Sequence, residues 1–262
     1  MEPVLEVSAV GMNFGGLRAL NEVDLTVRSG EIVALIGPNG AGKTTFFNCV
    51  TSIYTPTEGD VWLTGRNGAR TRVNGMKPNL VTALGMARTF QNIRLFRNMS
   101  VLENVMIARH CRTRVGILGA LFRPPSVRRE EREIMDRAYE LLQYIGLHRQ
   151  ANEDAGSLPY GDQRRLEIAR ALATEPSLLL LDEPAAGMNP QETVALKHLV
   201  LKIRSEMDLA VLLIEHDMGM VMSLSDRIYV MEYGCLIAEG TPAEVSSDPR
   251  VIRAYLGEEV HA

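Results

Sequence analysis

Two short stretches near the N-terminus alternate between apolar and polar residues, at residues 4–10 and 23–27. This period of two is typical of a strand that buries one face. An apolar run follows at residues 32–36, and a shorter strand signal lies at residues 60–63. Together these segments predict a compact N-terminal sheet arranged around a single loop.

Strand signals return in the last third of the chain. The runs at residues 178–181 and 209–214 are almost unbroken in their apolar character, as expected of parallel strands covered on both faces. Weaker signals lie at residues 228–231 and 236–238. These runs predict a second group of strands, whose longest members are fully buried.

The middle of the chain, from about residue 80 to residue 172, changes to a helical pattern. It predicts helices at residues 101–109, 127–145 and 162–173, and another helix follows at residues 191–207. In the longest of them, apolar residues recur at helical spacing between Arg and Glu, at Ile134, Ala138, Leu141, Leu142 and Ile145. The pattern predicts an α/β core with a helical block inserted between its two halves.

Composition excludes several classes of protein. The net charge of the 262 residues is −4, so no global positive field favours nucleic acid or an anionic membrane surface. No wholly apolar run approaches the roughly 18 residues of a membrane-spanning helix, and the nearest candidate is residues 115–122. No signal peptide is visible. We therefore expect a soluble cytoplasmic chain whose membrane association comes through a partner.

Three cysteines are widely spaced and form no C-x-x-C pair: Cys49, Cys111 and Cys235. An odd number at such spacing argues against a disulfide framework and against a structural metal site. We predict reduced intracellular thiols.

The strongest chemical signal is the sequence GPNGAGKTT, which lies between an apolar run and a helix-compatible run. Strand, glycine-rich loop and helix form the context that a phosphate-binding loop requires. Lys43 would reach the β- and γ-phosphates, and the hydroxyl of Thr44 would ligate Mg²⁺. The predicted nucleotide site comprises Gly37, Pro38, Asn39, Gly40, Ala41, Gly42, Lys43, Thr44 and Thr45.

Two further strand ends carry polar side chains. Asp182 and Glu183 follow the apolar run at residues 178–181, and His216 follows the run at residues 209–214. In phosphate-loop ATPases the first acid holds the Mg²⁺ shell, and a second acid can polarise the attacking water. An imidazole at such a strand end can donate to the γ-phosphate. The alternatives are acidic residues that merely face solvent and a structural histidine.

Four ordered motifs complete the pattern: ARTFQNIRLF, which contains Gln91; LPYGDQRRLEIARAL; LLLLDEPAAGMNP; and IEHDM. With the phosphate loop, this set resembles the nucleotide-binding subunits of ABC transporters over nearly the whole chain. The resemblance implies a RecA-like P-loop ATPase core with an antiparallel β subdomain and an inserted helical lobe. It implies one domain: residues 1–87 and 166–240 as core, 88–165 as helical lobe, and 241–262 as a C-terminal helical tail.

Details of the motifs resemble one subgroup, the ATPases of branched-chain amino acid importers. These details are YGDQRRLEIARAL, EPAAGMNPQET, IEHDM and the ending DPRVIRAYLGEE. The segment CRTRVGILGALFRPPSVRREE resembles the insertion in the larger ATPase subunit of such importers. Importers of urea or amides, and transporters of lipopolysaccharide, are related alternatives. An ABC ATPase of nucleic-acid maintenance would carry a long heptad coiled coil, which is absent here. A regulatory protein that binds ATP without turnover is the third alternative, and Glu183 and His216 argue against it.

The resemblance also implies roles for individual residues. Phe14 would stack on adenine, although a core phenylalanine is the alternative. Gln91 would sense Mg²⁺ and the γ-phosphate, although a glutamine in a surface turn is the alternative. Glu183, His216, Gln91 and Lys43 would carry catalysis, and Thr44, Gln91 and Asp182 would hold Mg²⁺. Residues that would meet the ATP of a partner chain in a head-to-tail dimer are Leu158, Pro159, Tyr160, Gly161, Asp162 and Asn189.

Residues 158–162, called the signature segment below, stand where this family usually has a serine-glycine-glycine signature. They depart from the family pattern at two positions. Pro159 stands where serine is expected, and Asp162 stands where glutamine is common; Asn189 also stands where aspartate is frequent. We therefore expect a heterodimer with a second ABC ATPase subunit, with a homodimer as the alternative. The remaining implied partners are two transmembrane permeases and, indirectly, a periplasmic or extracellular solute-binding protein, with no nucleic acid. The implied location is the cytoplasmic face of the inner membrane.

Overall fold

The computed structural model describes residues 3–109 and 125–256. The described residues form two compact units. One comprises those of Met1–Arg88 and Ser177–Ala262, called the core unit below, and the other those of Thr89–Pro176, called the helical unit. The apolar run at residues 115–122, Cys111 and the end of the chain lie outside the described residues.

All strands of the described segments belong to the core unit. In chain order they are β1 (Pro3–Phe14), β2 (Leu17–Arg28), β3 (Ile32–Ile36), β4 (Glu58–Thr64), β5 (Arg70–Arg72), β6 (Met86–Arg88), β7 (Leu178–Asp182), β8 (Ala210–Ile214), β9 (Arg227–Glu232) and β10 (Cys235–Gly240). The helices are α1 (Lys43–Val50), α2 (Pro78–Leu84), α3 (Val101–Arg109), α4 (Pro125–Ile145), α5 (Tyr160–Ala173), α6 (Pro190–Met207), α7 (Met218–Leu224), α8 (Pro242–Ser247) and α9 (Pro249–Leu256). Of these, α3, α4 and α5 belong to the helical unit.

The first sheet of the core unit is antiparallel, with strand order β2-β1-β4-β5. The predicted strands at residues 4–10 and 23–27 are confirmed, but β1 and β2 are each 12 residues long. They meet in a tight hairpin in which Phe14 pairs with Leu17. The turn of this hairpin consists of Gly15 and Gly16 alone. Strand β5 gave no signal because its three residues are too short to show a period.

The second sheet has the order β10-β9-β3-β8-β7-β6, and its inner pairs are parallel. Every residue of β3, β7 and β8 is buried, as their unbroken apolar runs predict. The prediction of helices alone from residue 80 is wrong at β6, which pairs with β7 at the edge of this sheet. With three residues, β6 is too short to be told from its helical surroundings.

The hydrophobic cluster of the core unit contains side chains from both sheets and from α1. Phe46 and Phe47 of α1 are fully buried against side chains of both sheets. Cys49 lies in the same cluster, and its burial raises the pKa of its thiol to about 11, so it stays protonated near neutral pH. Cys49 and Cys235 are both free thiols. The packing of α1 between the sheets fixes the loop that precedes it.

The helical unit follows the predicted helical periods closely. On α4, four of the five predicted apolar positions are buried and Leu141 is half-buried; the buried ones are Ile134, Ala138, Leu142 and Ile145. Helices α3, α4 and α5 match the predicted ranges to within two residues, as does α6 of the core unit. None of the helices in the described segments is both long and apolar enough to span a bilayer.

Candidate functional site

The candidate site of the core unit lies where three adjacent parallel strands end. In the register of these strands, Leu35 of β3 pairs with Ile214 of β8, and Ile214 pairs with Asp182 of β7. The segments that follow β3, β7 and β8 therefore leave the same edge of the sheet. In open α/β sheets this carboxyl edge is where ligands bind. Parallel pairing thus brings together three of the motifs that the sequence singled out.

The backbone of the loop after β3 depends on glycine at two positions. Gly37 has φ 152°, and a Cβ there would lie 2.1 Å from the carbonyl oxygen of Met231. Gly42 has φ 105°, and a Cβ there would lie 2.9 Å from the carbonyl oxygen of Ala19. Both the backbone conformation and the close neighbours exclude a side chain. The loop is therefore pressed against β9 on one side and against β2 on the other.

Lys43 begins α1 and directs its side chain back across this loop. Its Nζ donates to the carbonyl oxygens of Gly37, at 2.6 Å, and Pro38, at 2.9 Å, and the residue is only 7% exposed. The first N–H groups of a helix have no acceptor within it and, with the helix dipole, favour an anion. A buried ammonium group beside a helix N-terminus is an arrangement that favours an anion such as phosphate. Thr44, at the second helical position, is exposed.

Phe14 stands at the tip of the β1–β2 hairpin. The residue is 42% exposed, so the alternative of a core phenylalanine is wrong. Its ring meets that of Tyr54 edge to face, with centroids 5.4 Å apart and planes at 79°. Because β2 also carries Ala19, whose carbonyl contacts Gly42, this hairpin adjoins the start of α1. An exposed aromatic pair next to a phosphate loop suits a planar base. Sequence reasoning missed Tyr54.

Asp182 is buried at the end of β7 and forms an ion pair with Arg88 of β6. Arg88 Nη2 lies 2.7 Å from Asp182 Oδ2, and both side chains are less than a tenth exposed. The guanidinium also donates from Nη1 to Asn48 Oδ1 at 2.8 Å and to Thr51 Oγ1 at 3.3 Å. A buried carboxylate requires such compensation of its charge. Sequence reasoning missed Arg88, which links β7 to the region of α1.

Glu183 and His216 are brought into direct contact. His216 Nε2 lies 2.6 Å from Glu183 Oε1, and the carboxylate is the more buried of the two groups. Since an ionised carboxylate can only accept, the imidazole donates from Nε2 in that state. Glu183 has φ 46°, a left-handed conformation that is costly for a residue with a side chain and that clusters at functional sites. The backbone N–H of Glu183 donates to the carbonyl oxygen of Ile214 at 2.9 Å.

Glu215 orients both of these groups and was also missed from the sequence. Its carboxylate is buried and accepts hydrogen bonds from the backbone N–H groups of Ala185 at 2.7 Å, His216 at 2.9 Å and Asp217 at 3.4 Å. One buried carboxylate therefore ties the segment after Glu183 to the segment that carries His216. The sequence signal was a charged residue at the end of a wholly apolar strand, which is rarely buried without partners.

Asn189 caps the N-terminus of a helix. It is the N-cap of α6, where its side chain accepts from the N–H of Glu192 at 3.0 Å, while Glu192 accepts from the N–H of Asn189 at 2.9 Å. This reciprocal capping satisfies two backbone donors at the helix start. A contact of Asn189 with a partner chain stays a prediction.

The signature segment and Gln91 belong to the helical unit. Pro159 is the N-cap of α5, and its carbonyl accepts from the N–H groups of Asp162 at 3.0 Å and Gln163 at 2.9 Å. Asp162 is paired with Arg165. Leu158 is buried, Tyr160 is 40% exposed, and Gly161 is buried. The helix start that the sequence predicts therefore exists, and it lacks a side-chain cap.

Arg164, by contrast, points into the helical unit and is fully buried. Its guanidinium donates to the carbonyl oxygens of Phe90 at 2.7 Å and Gln91 at 2.8 Å, and to Glu167 Oε2 at 2.7 Å. Burial raises the pKa of Glu167 above its usual value, against the opposing effect of Arg164. Arg164 therefore holds the Gln91 segment, and the charge of Asp162 is paired with Arg165 instead.

The chain matches two families of known proteins. Residues 20–186 match the ABC transporter family, and residues 235–261 match a family described as branched-chain amino acid ATP-binding cassette transporter. High-affinity branched-chain amino acid transport ATP-binding protein LivG of Salmonella typhimurium is 50% identical over 257 residues, which are 98% of this chain and 99% of that protein. Its counterpart BraF of Pseudomonas aeruginosa is 50% identical over 256 residues, 98% of each chain.

The fold has close relatives among solved structures. The crystal structure of the ADP conformation of an ATP-binding cassette of an ABC transporter superposes with a TM-score of 0.84 at 32% identity, covering 98% of this chain and 100% of that one. This confirms the predicted α/β P-loop ATPase fold. The family match, the full-length relatives and the phosphate loop agree. The chain belongs to the ATP-binding proteins of ABC transporters, a family of nucleotide-binding ATPases coupled to transport.

Proposed function

We propose that this chain is the ATP-hydrolysing subunit that powers an importer of branched-chain amino acids. The observation that carries the proposal is the 50% identity, over 98% of the chain, to a protein named for high-affinity branched-chain amino acid transport. The separate match of residues 235–261 to a family of the same transport class supports it from a different part of the chain.

The nucleotide would bind at the loop after β3. Lys43 would exchange its hydrogen bonds to Gly37 and Pro38 for the β- and γ-phosphates, while backbone N–H groups of the loop and of α1 surround them. Phe14 would stack on the adenine. The half-exposed ring of Tyr54 would keep Phe14 in place through their edge-to-face contact.

The donor set fits Mg²⁺ bound together with a nucleotide. Thr44 offers a hydroxyl and Asp182 a carboxylate, the hard oxygen ligands that Mg²⁺ prefers, and Gln91 would add an amide oxygen. Within residues 3–109 and 125–256, no cluster of three or more acidic, His or Cys side chains is arranged to hold a metal. Bound Mg²⁺ would neutralise charge on the phosphates during their transfer.

Hydrolysis would be carried by the pair Glu183 and His216. Glu183 follows β7 at the carboxyl end of the sheet, where it would act as general base or polarise the attacking water. Its Oε1 lies 2.6 Å from His216 Nε2, which would hold the carboxylate in place. With ATP present, His216 would also reach the γ-phosphate. Glu215 would keep both groups in register through its three backbone hydrogen bonds.

The functional assembly would contain two ATPase chains and two permease subunits at the cytoplasmic face of the inner membrane. The segment Leu158–Asp162 would cover the ATP of the partner chain, and Asn189 would lie beside it. Gln91 would couple the site to the permeases. A solute-binding protein outside the membrane would act indirectly, and no nucleic acid would take part.

Pro159 favours a heterodimer. The family's serine donates a hydroxyl hydrogen bond to the partner's γ-phosphate, a charged bond worth about 1.5–3 kcal/mol. Proline offers neither a hydroxyl nor an N–H donor. In a homodimer both ATP sites would carry this weakness. We therefore propose a second ATPase chain whose signature keeps serine, so that the site built from this chain's Lys43 and Glu183 is the stronger one.

This asymmetry can be measured by making one substitution in each chain of the heterodimer separately. We expect Glu183→Gln in this chain to remove most ATP turnover. The equivalent substitution in the partner should leave most turnover, because it disables the site that contains Pro159. The reverse result would contradict the proposed asymmetry.

Transport itself tests the proposed solute. The complex is isolated through an affinity tag on this chain, and its partners are identified. It is then reconstituted in proteoliposomes with its solute-binding protein. We expect ATP-dependent uptake of labelled leucine, isoleucine and valine, and no uptake with Glu183→Gln in this chain. Uptake of urea or short amides instead of leucine would overturn the proposal and favour the related alternative.

A further inference from the structure

Arg88 forms an ion pair with Asp182, the carboxylate that is expected to bind the metal. Its Nη2 lies 2.7 Å from Asp182 Oδ2, and 9% of the Arg88 side chain and 8% of the Asp182 side chain are exposed. The ion pair therefore neutralises the charge of Asp182. A divalent cation that approached Asp182 would meet a positive charge already bound to it.

The guanidinium is held in place from the other side. Nη1 donates to Asn48 of α1 and to Thr51 directly after it, and the guanidinium carbon lies 5.5 Å from the ring centroid of Phe47. These contacts come from the helix that starts at the phosphate loop. Because its neighbours fix the planar fork, Arg88 cannot leave Asp182 without losing hydrogen bonds to two other side chains.

The surroundings of Asp182 offer little to a metal ion alone. In the described segments no cluster of three acidic, His or Cys side chains is arranged to hold one. The Asp182 carboxylate is already paired with Arg88, so it offers little net negative charge to a divalent cation. A nucleotide triphosphate would add the missing charge, since its phosphates bind at the loop beside Lys43.

We propose that Arg88 is a positioning residue that makes metal binding at Asp182 dependent on the nucleotide. In the absence of nucleotide, Arg88 keeps the carboxylate neutralised and bound through Oδ2, so that a free divalent cation binds weakly. When nucleotide phosphates are present, Asp182 can serve the metal through its second oxygen while Arg88 keeps its orientation. The inference rests on the proposed role of Asp182 toward Mg²⁺.

The test measures binding of Mn²⁺, as a probe for Mg²⁺, to the nucleotide-free full chain by electron paramagnetic resonance. We expect Arg88→Gln to bind Mn²⁺ about tenfold or more tightly than the wild-type chain, because a cation beside the carboxylate is removed. Arg88→Lys should bind Mn²⁺ as weakly as the wild type. Both variants lose the bridge to Asn48 and Thr51, so a purely structural role would affect them alike.

The double variant Arg88→Gln with Asp182→Asn identifies the binding site, since it should lose the gain in Mn²⁺ affinity. If Arg88→Gln does not fold, Arg88→Met, which also removes the charge beside Asp182, decides in its place: tighter Mn²⁺ binding than in the wild type supports the inference. Unchanged Mn²⁺ affinity in the variant that decides, or a gain that survives loss of Asp182, overturns it.

A separate measurement distinguishes failure of this inference from failure of the proposed function. Asp182→Asn alone should weaken Mg²⁺-dependent ATP binding. If it does not, the proposed role of Asp182 is wrong, whatever the Arg88 variants show. If it does, and Arg88→Gln leaves the affinity for free Mn²⁺ unchanged, only the role of Arg88 is wrong.

Discussion

Replacing Lys43 with alanine is expected to weaken ATP binding at this chain's phosphate loop strongly and to abolish turnover at that site. The ammonium group is almost fully buried and bonded to two loop carbonyls, so its charge is only weakly screened by water. Losing one cation beside a phosphate in such a place costs about 2–4 kcal/mol, or roughly 30- to 700-fold in nucleotide affinity.

Isothermal titration with ATP, followed by turnover in the assembled transporter, checks this expectation. Lys202→Ala on α6 is the matched control, because it removes the same charge from an exposed position outside the candidate site and should leave ATP affinity unchanged. The thermal midpoint of Lys43→Ala without nucleotide shows whether the loop still folds. ATP affinity equal to the wild type in a folded Lys43→Ala chain would contradict the assignment of the phosphate loop.

The residues of this site could be predicted from the sequence to the extent that each follows an apolar strand. Glu183 and His216 lie 33 positions apart, yet they touch because β7 and β8 are parallel neighbours and end at the same level. A strand that is buried on both faces is recognisable from its composition alone. The carboxyl ends of such strands then define where polar residues converge.

The residues that hold the site in place could not be predicted in the same way. Arg88 stands on a three-residue strand and meets Asp182, which lies 94 positions later, so neither a local period nor a spacing pointed to it. Glu215 and Arg164 are charged residues whose burial is decided by partners across the fold. Sequence patterns mark charged residues as exposed by default, and only tertiary packing reveals the ones that are paired.

Replacing Glu183 with glutamine is expected to stop hydrolysis while ATP still binds. Glutamine keeps the shape of the side chain, and its amide oxygen can still accept from His216 Nε2, so the loop geometry survives. The amide cannot take a proton from water. General-base catalysis contributes about 10²–10⁴-fold, so turnover at this site should fall by about that factor. With the γ-phosphate retained, the closed dimer should accumulate.

Single-turnover hydrolysis and size-exclusion chromatography with ATP measure the two effects. Glu206→Gln, an exposed position on α6, removes the same charge away from the site and should behave as the wild type. A further comparison uses His216→Ala alone and combined with Glu183→Gln. If the pair acts as one unit, the double variant loses little more than Glu183→Gln alone, because residues acting together are strongly non-additive. Wild-type hydrolysis by Glu183→Gln would remove Glu183 from the mechanism. Fully additive losses would leave Glu183 in its role and assign His216 a separate task at the γ-phosphate.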